Sequence, residues 1–275
     1  MINLRLLFLF AFSVVALVYG QDFGVSGIKA NVEEAFRARQ ASADAFAQGN
    51  AEEGQSQAQR SASLFREARA SYESMRADES VDVGVLVDYA GLLNEMEDYD
   101  LAENALLRAA AIAPGDAAVW LKLGQTQAAL GPASESRAIR SLRRAADIEP
   151  SSQSTVEAHA SLGALYQQAG LYEFAREAFN EALELDPDHI GSRLTIASLD
   201  AREGKMVEAE AAFDSIEALS PEHGGYIKRT LGPSLDEFAA SRRWLPDTAD
   251  AHFAYAKLLV RVDRIEDSVW PLLRS

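Results

Sequence analysis

Four prolines, Pro114, Pro150, Pro187 and Pro221, mark the chain at intervals of 36, 37 and 34 residues. Each stands twelve residues after an alanine: Ala102, Ala138, Ala175 and Ala209. Each alanine follows another small residue (Ala90, Gly124, Gly163 or Ala197) by twelve to fourteen positions. A period near 34 residues, with small residues at two fixed points, restricts the chain to a stacked helix–turn–helix array. Two antiparallel helices approach to about 8–10 Å only where the facing side chains are small. Each alanine is therefore expected to meet the glycine or alanine of its partner helix. The third unit is the clearest, with Leu162, Gly163, Tyr166, Gly170, Tyr172, Ala175, Phe179, Ala182 and Pro187 in order. The second carries Trp120, Leu123, Gly124, Ala138, Leu142, Ala145 and Pro150, with two extra residues near Gly131-Pro132. An insertion there is tolerated because it falls in a surface loop.

This spacing resembles the tetratricopeptide repeat family, with its Trp-x-x-Leu-Gly, Tyr, Ala, Phe, Ala and Pro positions. The resemblance covers residues 83–221 as four repeats. It implies an all-α fold: a right-handed superhelix, or α-solenoid, of stacked antiparallel helix pairs. It also implies protein partners, held in a concave groove lined by the first helix of each repeat. By this register the groove residues are Val87 and Asn94, then Leu121 and Gln125, Ala160 and Gln168, and Leu194 and Arg202. Family members that clamp a peptide's terminal carboxylate place Lys or Arg and Asn here. Leu, Ala and Gln in the middle repeats argue against such a clamp and for an apolar or amphipathic segment.

The termini read differently. Arg5 precedes an apolar run from Leu6 to Tyr19, and Val18 and Gly20 fit the small-residue rule for cleavage before Gln21. A helix of this run spans roughly 21 Å, short of the ~30 Å hydrocarbon core. Residues 1–20 are thus expected to be a signal peptide. The mature protein would be exported, periplasmic or extracellular, and not inserted in the membrane. With no cysteine in the chain, its stability must come from a packed core. Residues 21–80 read as a helical hairpin, a diverged repeat or cap, turning at Gly49-Asn50, with Val32, Phe36, Ala43 and Phe46 on one face. After Pro221 the period is lost. Gly224-Gly225 and Gly232-Pro233 are expected to break the chain. Ser234 and Glu237 form a capping-box pattern ahead of a short helix, and 249–260 reads as the first helix of a partial repeat. Residues 222–275 are therefore diverged helices.

The formal net charge is −16, from 42 acidic and 26 basic residues. So acidic a chain repels phosphate backbones, which excludes nucleic acid as a natural partner. Phosphate loops, nucleophile elbows and metal-ligand spacings are missing from the sequence, so no cofactor, metal or catalysis is expected. His159 and His252 share the repeat position of Trp120, whereas His189 and His223 fall between repeats. Arg137, Arg140, Arg143 and Arg144 form a basic cluster, expected to be neutralised by the chain's own carboxylates or else to dock an acidic partner. The function expected is an exported interaction scaffold or adaptor. The alternatives are an enzyme with a site in the irregular C-terminal region, or a structural subunit of an envelope complex that contacts partners through its ends.

Overall fold

Why the N-terminal helices pair so closely is written in their small residues. In the computed structural model, which describes residues 25–76, 82–150, 152–219, 224–241, 245–246 and 248–272, α1 (Val25–Ala47) and α2 (Ala51–Arg76) form a hairpin. The expected signal segment, Pro221 and His223 lie outside those residues. The buried stripe of α1 is Ile28, Ala35, Ala38, Ser42 and Ala45. The face expected from Val32, Phe36, Ala43 and Phe46 is not the buried one: Ala43 and Phe46 are exposed. Small residues win because they admit α2 closely. The Ser42 hydroxyl donates to the Gly54 carbonyl at 2.7 Å, and the Ser61 hydroxyl donates to the Ala35 carbonyl at 2.8 Å. Only helices in near contact let a serine reach its neighbour's backbone.

The chain divides into two units, Met1–Gly115 and Asp116–Ser275. The first holds α1, α2, α3 (Val83–Glu95) and α4 (Tyr99–Ile112). Asp82 caps α3 by accepting the Gly84 N–H. Leu86, Tyr89, Ala90 and Leu93 of α3 are buried, as are Ala102, Ala105, Leu106 and Ala109 of α4.

The second unit holds α5 (Ala117–Ala129), α6 (Glu135–Ile148), α7 (Gln153–Gln168), α8 (Tyr172–Leu185), α9 (Ile190–Glu203), α10 (Met206–Leu219), α11 (Gly224–Ala240), α12 (Ala249–Arg261) and α13 (Ile265–Leu272). Consecutive helices pair as α5–α6, α7–α8, α9–α10 and α12–α13. Among the described residues there is no strand. No helix is long and apolar enough to cross a membrane, among the described residues. The architecture is the expected all-α helical repeat of stacked antiparallel pairs.

Local chemistry sets the helix ends. Asp116 caps α5, accepting the Ala118 and Val119 N–H groups. The inserted residues near Gly131-Pro132 wind into a 3-10 turn, Pro132–Ser134, ahead of α6. α7 starts earlier than a Ser154–Glu157 capping box would place it, because the Ser152 hydroxyl accepts the Thr155 N–H. Every pair turns through a left-handed residue: Gly49 (φ 78°), Glu97 (62°), Gly131 (91°), Gly170 (73°), Gly204 (88°) and Asp263 (62°). Most of these are glycine, the residue that adopts this conformation without a Cβ penalty. The last pair, α12–α13, turns at Asp263 in the same left-handed conformation.

Two expectations are corrected by packing. In the third repeat Ala175 was expected to face Gly163, but the Phe179 ring does so. A Cβ on Gly163 would lie 2.8–2.9 Å from that ring. In the second repeat Leu142, not Ala138, fills the notch at Gly124. The repeat's glycine thus receives the large side chain one turn beyond the alanine. The second correction is α11, which runs as one helix through Gly232-Pro233. A proline inside a helix costs about 3 kcal/mol. Burial of Ile227, Leu231, Leu235 and Phe238 in one cluster with Leu194, Phe213 and Leu258 offsets it.

Candidate interaction groove

Helices α5 and α7 lie side by side and each turns a small, amide-bearing strip outward. On α5 this strip holds Leu121 and Gln125. On α7 it holds Ala160, Ala164 and Gln168. Gln125 and Gln168 are exposed, while Leu121 and Ala160 are half-buried. Leu121 also packs against the cluster of Leu142, Leu162 and Leu165. The Gln125 amide donates to the Ser161 hydroxyl at 3.3 Å, which joins the two helices across the floor. A cavity of about 260 Å³ at one end is lined by Ala128, Gly131, Pro132, Leu165 and Gln168. Small side chains leave backbone and methyl groups accessible, and the amides can donate and accept toward a bound chain.

The fourth repeat departs from the expected groove. Leu194 was expected to face solvent, but it is only 5% exposed and belongs to the core cluster. Ser198 is fully buried. The cause is α11, which packs along α9, whereas α12 packs on α10. The contact extends to the ends of both helices: Arg202 pairs with Glu237, and Phe238 approaches within 2.9 Å of a Cβ built on Gly204. Arg202 also stacks over the Tyr172 ring, 3.4 Å from its centroid. It is therefore committed to the chain's own groups. Glu237, expected in a capping box with Ser234, is instead this partner.

Val87 and Asn94 lie on α3 in the first unit, both half-buried. The other six expected groove residues belong to the second unit. Of these, Leu121, Gln125, Ala160 and Gln168 share the α5–α7 surface, while Leu194 and Arg202 lie at α9.

An ion network locks α8 to α9 beside this region. Arg176 reaches Asp200 at 2.9 Å and Glu203 at 3.0 Å, and Lys205 reaches Glu203 at 2.7 Å. Burial raises the Asp200 carboxyl above its ordinary range, and Arg176 only partly offsets this. Burial pushes Glu203 in the same direction, but hydrogen bonds from Lys205 and Arg176, with their charges, outweigh it and hold Glu203 low. The two acids thus differ because only Glu203 receives a hydrogen bond from Lys205 as well as from Arg176.

The described histidines lie against the chain's own groups. His189 caps α9, its Nδ1 accepting the Ser192 N–H. His159 Nδ1 lies 2.9 Å from Glu181, and His252 is buried. Among the described residues no group of three or more His, Asp or Glu is placed to hold a metal. Arg140, Arg143 and Arg144 depart from the expected neutralisation. Arg143 donates to the Tyr166 hydroxyl at 2.9 Å and Arg137 to Ser134 at 2.6 Å. Arg140 and Arg144 form no ion pair among the described residues.

Comparison with known proteins agrees with this geometry. Sequence models of the tetratricopeptide repeat match residues 83–126 and 156–189. No curated protein matches the chain. Among solved structures, a tetratricopeptide repeat protein from Parabacteroides merdae is similar at 15% identity, with a TM-score of 0.51, over 87% of this chain and 91% of that one. A thermophilic repeat protein from Thermus thermophilus is similar at 17% identity, with a TM-score of 0.50, over 73% of this chain and 98% of that one. These likenesses are of fold. With its left-handed turns and paired helices, the chain is an all-α helical-repeat protein in which two segments match the tetratricopeptide repeat.

Proposed function

We propose that this protein is an exported interaction scaffold that holds an apolar or amphipathic segment of a partner protein on the α5–α7 surface. One observation carries the reading. The small, amide-bearing strip is open at α5 and α7, yet α11 covers the corresponding face of α9. A segment seated there would contact Gln125, Ala160, Ala164 and Gln168 and end against the chain's own α11. Binding in this mode draws on apolar contact for affinity and on amides for register. No catalytic role forms part of this proposal. Export rests on the Leu6–Tyr19 run, with cleavage before Gln21. N-terminal sequencing of the protein from its native host tests it, since a retained Met1 contradicts cleavage.

The groove is tested by a photo-crosslinking residue placed at Ala164 and, as a control, at Glu173, in the full chain expressed in its host. The expected result is a discrete partner crosslinked from 164 and lost when Gln125→Arg and Ala160→Arg are added. Equal crosslinking from both positions would defeat the groove reading. A second reading, contact through an end, is favoured by exposed apolar groups on the last pair. Phe253 and Val260 of α12 and Ile265 and Val269 of α13 are all exposed. Crosslinking from Ile265 but not from 164 would select it.

A further inference from the structure

The opposite side of the same repeat carries a second surface. On α7, His159, Leu162 and Tyr166 point nearly opposite to Ala160, Ala164 and Gln168, as the 100° helical step requires. Beside them a cavity of about 280 Å³ opens between α6, α7 and α8. A cavity of this size has room for a single large side chain. Its apolar lining is Ala146, Leu162, Tyr166, Phe174 and Ala178. Phe174 is 55% exposed, and its ring centroid lies 5.7 Å from that of Tyr166. An aromatic ring left this open beside a cavity is a platform for an incoming apolar group.

The α6 wall is basic. Arg143 lines the cavity, its guanidinium held by the Tyr166 hydroxyl rather than by a carboxylate. Arg140 and Arg144 continue the exposed face. Neither forms an ion pair among the described residues, although carboxylates outnumber cations 42 to 26 in this chain. By contrast, Arg176, Arg193, Arg202, Arg261 and Arg264 of the same unit all pair with carboxylates. The α8 side is acidic through Glu177 and Glu181, and Asp147 sits at the α6 edge. Acidic groups of an occupant are thereby directed to the α6 side.

We propose that this face docks a short acidic segment of a partner protein, with one large apolar side chain in the cavity and carboxylates on Arg140, Arg143 and Arg144. The three arginines span only about 6 Å of helix axis, a length matched to a few residues of peptide. A membrane or a nucleic acid would also confront the whole −16 molecule, whose field opposes an extended polyanion. The site is independent of the α5–α7 groove.

The test uses the mature protein and a short dye-labelled peptide of alternating Glu and Gly around one central Trp, read by fluorescence anisotropy. Binding that weakens with salt is expected. Arg140→Glu with Arg144→Glu should reduce affinity about tenfold, since two weak pairs become two repulsions. Replacing the peptide Trp by Ala, or Phe174 by Ser, should each weaken binding, and the two losses should not add. Both arginines and Phe174 are exposed, so unchanged circular dichroism and melting are expected in these variants. Ala164→Glu on the opposite face should leave binding unchanged, which separates this proposal from the groove. Absence of peptide binding, insensitivity to the charge reversal, or retention on phosphatidylserine vesicles in place of the peptide would each overturn it.

Discussion

Leu142 sits on Gly124 so closely that a Cβ on the glycine would lie 2.6 Å from the leucine Cγ and 3.1 Å from its backbone nitrogen. Neither atom can retreat: Leu142 is fully buried, and its backbone belongs to α6. Gly124→Ala is therefore expected to destabilise by about 1–3 kcal/mol through overpacking. Gly91 gives the contrast, because a Cβ there meets nothing within 4 Å. Gly91→Ala should stabilise α3 by roughly 0.5–1 kcal/mol from helix propensity. Urea unfolding of both variants checks the pair, and a loss at Gly91 equal to that at Gly124 would contradict the packing.

Burial of Leu194 under α11 makes a sharp distinction among the expected groove residues. Leu194→Glu places a carboxylate in the cluster of Phe213, Leu231 and Leu258 and should cost at least about 4 kcal/mol. Ala164→Glu, at an exposed position of α7, should stay within about 0.5 kcal/mol of the parent. Thermal melting of the two variants decides this.

The Arg176 network predicts an asymmetric response. Its side chain and those of Asp200 and Glu203 are each about one-fifth exposed or less. Arg176→Met leaves Asp200 without its main cation and should cost about 3 kcal/mol, the low end for a broken buried pair because some solvent remains. Adding Asp200→Asn removes the stranded charge and should recover part of that loss. A double variant weaker than the single would show that Arg176 acts through packing alone.

Left-handed turn residues can be improved. Glu97 holds φ 62° between α3 and α4, where four of the other pairs use glycine. Glu97→Gly removes the Cβ strain at the expense of chain entropy, and a net gain of about 0.5–1 kcal/mol is expected. Equilibrium denaturation measures it, and a loss would show that the Glu97 side chain contributes contacts.

Tyr72 gives the first unit an alkaline limit. Burial, with a smaller contribution from Asp88, pushes its hydroxyl up to about 12. Below about pH 10 both folded and unfolded states keep the proton, so stability does not change through this group. From about pH 10 to 12 only the unfolded chain gives it up, and stability falls by at most ~1.4 kcal/mol per pH unit. Tyr72→Phe should flatten that decline in pH-dependent denaturation, while an unchanged slope would assign it elsewhere.

The sequence alone determined the repeat. Proline and small-residue spacing, the Asp116 cap and the glycines at 170 and 204 encode local geometry, so they could be read without contacts. Burial of Leu194, where Leu121 and Ala160 stay half-open, could not, because residues at one repeat position differ only in what later helices cover them. Gly232-Pro233 looks like a break because local propensity disfavours a helix there. Tertiary burial of Leu231 and Leu235 outweighs that propensity and lays α11 over α9. The facing of Gly124 by Leu142, not Ala138, also needed the fold. A shift of one helical turn preserves the sequence period but changes which side chain enters the notch. The α6 arginines were legible as a cluster. That Arg140 and Arg144 lack carboxylate partners among the described residues depends on where the other helices bring their acids, which only the tertiary structure decides.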